Sequence, residues 1–318
     1  MLMTCLAGCG GTGSSNDSGD EAGVGFKIVT TIFPEYDWVR EILGDNPAGA
    51  EVILLTDKGV DLHSYQPNAE DIMNISSCGI LIYVGGGSDS FIDDVLSSSS
   101  NEEMTVLNMM DIIGDSAKEE EIIEGMESDE HEHDENEEPE YDEHVWLSLR
   151  NAEKLTSAIC DAICEADPDH SEMYKENLNS YLSELDSLDK EYEDVVSKAS
   201  NKTLLFGDRF PFRYMVDDYG LDYYAAFAGC SAESEASFET VTFLAGKVDE
   251  LGLDYVFTIE NSDGKIANTI IDNTKDKDQK ILSLNSMQSV LRSDIDEGAT
   301  YLGIMQDNLD ALKEALGE

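Results

Sequence analysis

Tyr174, Leu178, Tyr181, Leu185, Leu188, Tyr192 and Val195 recur at alternating four- and three-residue steps near the middle of this 318-residue chain. A stripe of that period is the apolar face of one long helix. On its amino-terminal side, Lys27–Thr31, Glu51–Leu55, Gly79–Val84 and Met104–Leu107 read as short strands separated by amphipathic stretches. On the other side the plan repeats at Thr203–Phe206, Tyr223–Phe227, Tyr255–Ile259 and Lys280–Leu284, and closes with a helix over Tyr301–Leu316. Strands alternating with helices make parallel sheets. The expected fold class is therefore α/β: two similar parallel-sheet lobes joined by one long backbone helix. The expected division is a leader and tether over 1–25, a first lobe over 26–168 that contains an acidic loop at 115–143, a connecting helix over 169–199, and a second lobe over 200–318. Open α/β sheets bind ligands at the carboxyl ends of their strands, so two facing lobes create a cleft.

Composition narrows the partners. A hydrophobic content of 41% suffices for ordinary cores, whereas 69 acidic against 19 basic residues give a net charge of -50. A polyanion would be repelled, which excludes nucleic acid. The acidity suits a salty medium or solubility equally well, so alone it does not identify a cation binder. Leu6-Ala7-Gly8-Cys9 has the form of a lipobox, with a Gly- and Ser-rich tether behind it. Only Met1 to Leu6 precedes that box, short of the roughly 7–15 apolar residues a signal peptide needs, so a truncated or misassigned start is expected. On this reading Cys9 carries diacylglycerol and anchors the protein by lipid at the outer face of the cell membrane; the alternative is a chance cysteine in a small-residue leader. No later apolar run is long enough to span a bilayer. Cys78, Cys160, Cys164 and Cys230 read as free thiols, since their spacing matches no zinc finger and pairing Cys160 with Cys164 within a regular helix is poor geometry.

The chemistry concentrates at histidines. His144, in Asp142-Glu143-His144-Val145-Trp146-Leu147, follows the run Asp129-Glu130-His131-Glu132-His133-Asp134-Glu135. Imidazole is the commonest side-chain ligand for zinc-like cations, and a dense acidic tract concentrates cations near it. His131 and His133 are expected to form a low-affinity loop site, against the alternative of a solvated charge run. His63, in Asp61-Leu62-His63-Ser64-Tyr65-Gln66-Pro67, sits just past a strand end facing the cleft. Either histidine alone reads more readily as an ordinary polar loop or capping residue; their joint context reverses this in favour of metal ligation.

These segments resemble the metal-binding lipoproteins of ABC importers for zinc and manganese, which carry a His-Ser-Tyr-x-Pro loop, an acidic His-rich insertion and a His-Val-Trp-Leu segment. Lys27-Ile28-Val29-Thr30-Thr31-Ile32-Phe33-Pro34, Tyr83-Val84-Gly85-Gly86-Gly87 and Asn308-Leu309-Asp310-Ala311-Leu312 are similar too, and the likeness runs from about Phe26 to the end. The resemblance implies a monomeric, non-enzymatic solute-binding protein that holds one metal ion between its lobes and delivers it to an ABC transporter permease. It gives His63 and His144 the first-lobe ligand roles. In the second lobe the family has His or Glu before an aromatic-rich helix, where this chain has Arg209 in Phe206-Gly207-Asp208-Arg209-Phe210. A guanidinium has no lone pair to give, so Asp208 is taken as third ligand, with pairing to Arg209 or Arg213 as its alternative. After its last strand the family uses an acid where this chain offers Asn285, a poor zinc ligand. Glu260 is taken as the fourth ligand, with Cys230 and Glu233 competing. Two imidazoles with carboxylate oxygen favour zinc, with manganese or iron open. A surface adhesin shares the lipobox and is the rival reading. A zinc hydrolase is weaker, because the chain lacks His-Glu-x-x-His, a Gly-x-Ser-x-Gly elbow and a phosphate loop.

Overall fold

The computed structural model describes residues 26–127, 140–231 and 235–317. Cys9, His131, His133 and Glu233 lie outside them. In the first lobe, strands β1 (Lys27–Thr30), β2 (Glu51–Leu54), β3 (Ile80–Tyr83) and β4 (Thr105–Asn108) form a parallel sheet in the order β2-β1-β3-β4. Helices α1 (Phe33–Leu43), α2 (Ala69–Ser77), α3 (Phe91–Ser98) and α4 (Met109–Ile113) link or follow them, and α5 (Leu149–Ala166) completes the lobe. All four residues of β3 are buried, as expected of a central strand covered on both faces. The second lobe repeats the order. Strands β5 (Thr203–Phe210), β6 (Asp222–Ala228), β7 (Tyr255–Ile259) and β8 (Lys280–Leu284) lie as β6-β5-β7-β8, with helices α7 (Arg213–Tyr219), α8 (Phe238–Leu251), α9 (Lys265–Asn273), α10 (Arg292–Asp296) and α11 (Tyr301–Leu316).

The apolar stripe is one helix, α6, over Ser171–Lys198. Tyr174, Tyr181, Leu185, Leu188, Tyr192, Val195 and Val196 are its buried residues, and Leu178 is half-buried. Each such side chain contributes about 1.5–3 kcal/mol on burial. Packing therefore holds α6, and the exposed Lys190–Asp186 and Lys198–Asp194 pairs on its outer face add only tenths of a kcal/mol each.

The lobes meet through more than this connector. The Trp38 and Tyr301 rings sit 5.1 Å apart edge to face. Trp146 Nε1 donates to Ser286 O at 2.8 Å, and the Tyr301 hydroxyl donates to Trp146 O at 2.7 Å. Asp37 on α1 accepts from the Tyr301 backbone N–H, which starts α11, at 2.7 Å. A continuous apolar core runs through these residues.

Two sequence expectations change. Strand β5 continues to Phe210 with a register shift between Phe206 and Arg209. A Cβ on Gly207 would stand 2.5 Å from the Ala267 Cα, so glycine is what admits α9 against the strand here; Asp208 and Arg209 thus lie on the strand, not in a loop. The acidic loop expected at 115–143 lies in part outside the described residues, and its described ends are not free loop but fastened. Glu119 and Tyr141 form an antiparallel bridge, Glu120 N donates to Glu140 O at 2.8 Å, and Glu127 N donates to Ala226 O of β6 at 2.9 Å. Met126 between them is buried.

Candidate metal site

Each first-lobe histidine is set by an aspartate two residues before it. Asp61 caps the short 3-10 turn Leu62–Ser64: its Oδ1 accepts from the His63 backbone N at 3.0 Å and lies 2.7 Å from His63 Nδ1. Asp142 repeats this at the entry to α5, with Oδ1 at 2.8 Å from His144 N and 2.9 Å from His144 Nδ1. A carboxylate on Nδ1 assigns the proton to that nitrogen and leaves the Nε2 lone pair free to ligate. The rings are stacked with centroids 5.3 Å apart. His144 is fully buried, and His63 Nε2 is a buried nitrogen with no hydrogen-bond partner. A buried polar atom left unpaired is costly, and here it points to a ligand.

The second lobe closes over these rings from several strand ends. Arg209 on β5 reaches back to Asp61 Oδ2 at 2.7 Å, an ion pair across the lobes. Burial works to raise the Asp61 carboxyl, but the His63 hydrogen bond and the Arg209 charge outweigh it and hold the group well below the usual carboxylate range. Gln288, after β8, places its carboxamide against both rings, with one end 3.1 Å from His144 Nε2 and the other 3.1 Å from His63 Nδ1. Burial disfavours the His144 imidazolium, yet the Asp142 carboxylate, with Glu143 and Asp61 beyond it, pushes its pKa up. Among the described residues, one group of three His, Cys, Asp or Glu ligand atoms lies within 4.8 Å of one another, and it comprises His63, His144 and Cys230.

The two carboxylates expected from the second lobe stand outside that group. Asp208 Oδ1 accepts from the Arg209 backbone N at 2.9 Å, and its side chain lines an open cleft of about 810 Å³ beside Asp61, Arg209 and Glu260. The alternative of a pair with Arg209 or Arg213 is not what forms, since Arg209 pairs with Asp61 and Arg213 with Glu121. Glu260 is spent on the turn after β8: it accepts from Ser286 N and Ser286 Oγ at 2.7 Å each and from Gln288 N at 3.2 Å. Asn285 is likewise occupied, accepting from Met287 N at 2.8 Å. Sequence reasoning missed Asp61 and Asp142 as orienting groups, although Asp-x-His precedes both ligand histidines, and it missed Gln288, for which no motif gave a signal.

The sequence model of the family described as zinc-uptake complex component A, periplasmic (ZnuA), matches residues 28–315. Among curated proteins the chain is similar to the zinc-binding lipoprotein AdcA of Streptococcus pneumoniae, 30% identical over 291 residues, which covers 91% of this chain and 55% of that protein. The high-affinity zinc uptake system protein ZnuA of Bacillus subtilis is 29% identical over 315 residues, 98% of this chain and 93% of that one. The chain thus spans about half the length (55%) of the AdcA relatives it matches. Among solved structures it is similar to the Zn(II)-bound ZnuA-like domain of Streptococcus pneumoniae AdcA, with a TM-score of 0.72 at 27% identity over 92% of this chain and 100% of that one. The metal-dependent lipoprotein YcdH of Bacillus subtilis gives 0.73 at 26% identity over 92% and 99%.

Proposed function

The chain belongs to the zinc-uptake component A family, and from that premise we propose that it captures zinc between its lobes and hands it to the permease of an ABC importer. The observation that carries the reading is His63 Nε2, buried without a hydrogen-bond partner and grouped with His144 and a thiol. Two imidazoles with their Nδ1 atoms on carboxylates have the ligand chemistry and orientation zinc prefers. Manganese favours a shell richer in oxygen, and Asp208 and Glu260 stand outside the group of ligand atoms. The names of the relatives support the same cargo: AdcA and ZnuA are zinc-binding or zinc-uptake proteins. Capture and delivery require no chemical step on a substrate. The protein works as a monomer held at the outer face of the membrane through Cys9, and among the described residues no helix is long and apolar enough to cross a bilayer.

Calorimetric titration of the full chain with zinc tests this reading. One tight equivalent is expected, lost in His63→Ala and in His144→Ala. Tight binding that survives both substitutions would refute it.

A further inference from the structure

We propose that Cys230 is the third protein ligand, so that the site is a two-imidazole, one-thiolate centre that selects soft divalent cations, zinc and cadmium, against manganese. This rests on the reading of the cleft as a metal-capture site and names the donor that decides its selectivity. The ligand atoms of Cys230, His63 and His144 already lie within 4.8 Å of one another. A tetrahedral zinc with bonds of about 2.0–2.1 Å to nitrogen and 2.3 Å to sulfur sets such donors roughly 3.4–3.7 Å apart. Closing that gap takes a movement of about 1 Å, within the reach of side-chain torsions.

The backbone is built to bring the thiol there. Gly229 follows strand β6, and a Cβ on it would stand 3.0 Å from His144 Cε1 and 2.9 Å from Phe210 O. Only a residue without a side chain lets the next one come this near to the imidazole. Glu120, from the fastened end of the acidic segment, accepts from the Cys230 N–H at 3.3 Å and fixes the turn from the other lobe. Of the carboxylates that could have served instead, Glu260 is engaged with the Ser286–Gln288 turn, and Asp208 stands outside the group of ligand atoms. On binding, the Sγ–metal bond forms as the thiol proton leaves to the buffer, with no change in oxidation state. Thiolate ligands favour zinc-like cations, whereas manganese favours oxygen.

Cobalt(II) and cadmium(II) titrations of the full chain, read by thiolate-to-metal charge-transfer absorption and by zinc competition, test the assignment. Wild type and a Cys164→Ser control should show a band that saturates at one equivalent and is removed by zinc. Cys230→Ser should still bind one equivalent, without the band, with zinc affinity down by at least about tenfold, since losing a ligand costs no less than losing a group that orients one, and with a narrower preference for zinc over manganese. In wild type, zinc should also shield Cys230 from iodoacetamide while leaving Cys164 unaffected, a readout that does not depend on a variant folding. One tight, His63-dependent equivalent with no band and no shielding would overturn the thiolate and leave metal capture standing. No tight equivalent in wild type would overturn both.

Discussion

Replacing Asp142 with alanine isolates what the orienting carboxylates do, because the Asp142 carboxylate is hydrogen-bonded to His144 whereas that of Asp61 also holds Arg209. The substitution removes Oδ1, which lies 2.9 Å from His144 Nδ1 and 2.8 Å from the His144 backbone N, and with it both contacts. His144 is fully buried, so no water replaces them readily. The ring loses its fixed tautomer and part of its basicity, and losses of this kind cost about 10–100-fold in metal affinity, or about 1.4–2.8 kcal/mol. The orphaned backbone N–H adds about 1–3 kcal/mol of lost fold stability, so circular dichroism must first show that the variant is folded. The pH profile carries a further signature. Asp142 raises the His144 pKa, and zinc must displace that proton; wild-type affinity therefore falls as pH drops through the raised value. Without the carboxylate the imidazole ionises at lower pH, and the decline should begin lower. Asp142→Asn, which keeps an acceptor but not the charge, should lose less affinity than the alanine variant. Competition against a chromophoric chelator across pH 5.5 to 8 measures all three. A folded Asp142→Ala protein that binds zinc within about twofold of wild type would refute the argument that this carboxylate prepares the ligand.

Two further outcomes follow from burial and charge. Burial, aided by Glu41 and opposed by the Tyr301 backbone N–H and Arg40, pushes Asp37 up to about 7; the fold prefers the protonated acid, so its contribution is greatest below the unfolded value and falls as pH rises toward 7. Asp37→Asn keeps an acceptor for α11 and should raise stability above pH 7 by on the order of 1–3 kcal/mol while changing little at pH 4; chemical denaturation at both pH values checks this, and an equal effect at both would count against it. Exchanging residues 128–139, which hold His131 and His133, for a short Gly-Ser linker should remove weak zinc equivalents yet leave tight affinity within about tenfold, or 1.4 kcal/mol. Calorimetry showing loss of the tight equivalent would instead put a primary ligand in that stretch.

The architecture was legible because its signals are local and periodic. The alternating steps from Tyr174 to Val195 define a helix face wherever they occur, and the short β-rich runs between amphipathic stretches leave little choice but parallel sheets. Strands β7 and β8 and helix α11 fall on the residues read from sequence. The misread of β5 is not local: Gly207-Asp208-Arg209 looks like a strand end, but the strand resumes its pairing with β6 at Arg209–Phe227 and Phe210–Ala228, partners that its own residues do not announce.

The second-lobe side of the site was illegible for a different reason. An acid at a strand end can ligate a cation or hold a turn, and the sequence does not record whether its lone pairs are already taken. Glu260 stands where a ligand would, but two hydrogen bonds from Ser286 and one from the Gln288 backbone fill it. Its service to the site is indirect: it fixes the turn that carries the Gln288 carboxamide to His144. Arg209 shows the same substitution of roles. At the position where a donor is expected it supplies a cation, which binds the carboxylate behind His63 and ties one lobe to the other. With a guanidinium on one side and a neutral amide on another, a divalent ion would meet two imidazoles and no anionic donor from the second-lobe carboxylates. A thiolate at Cys230 is the group within reach that would supply one.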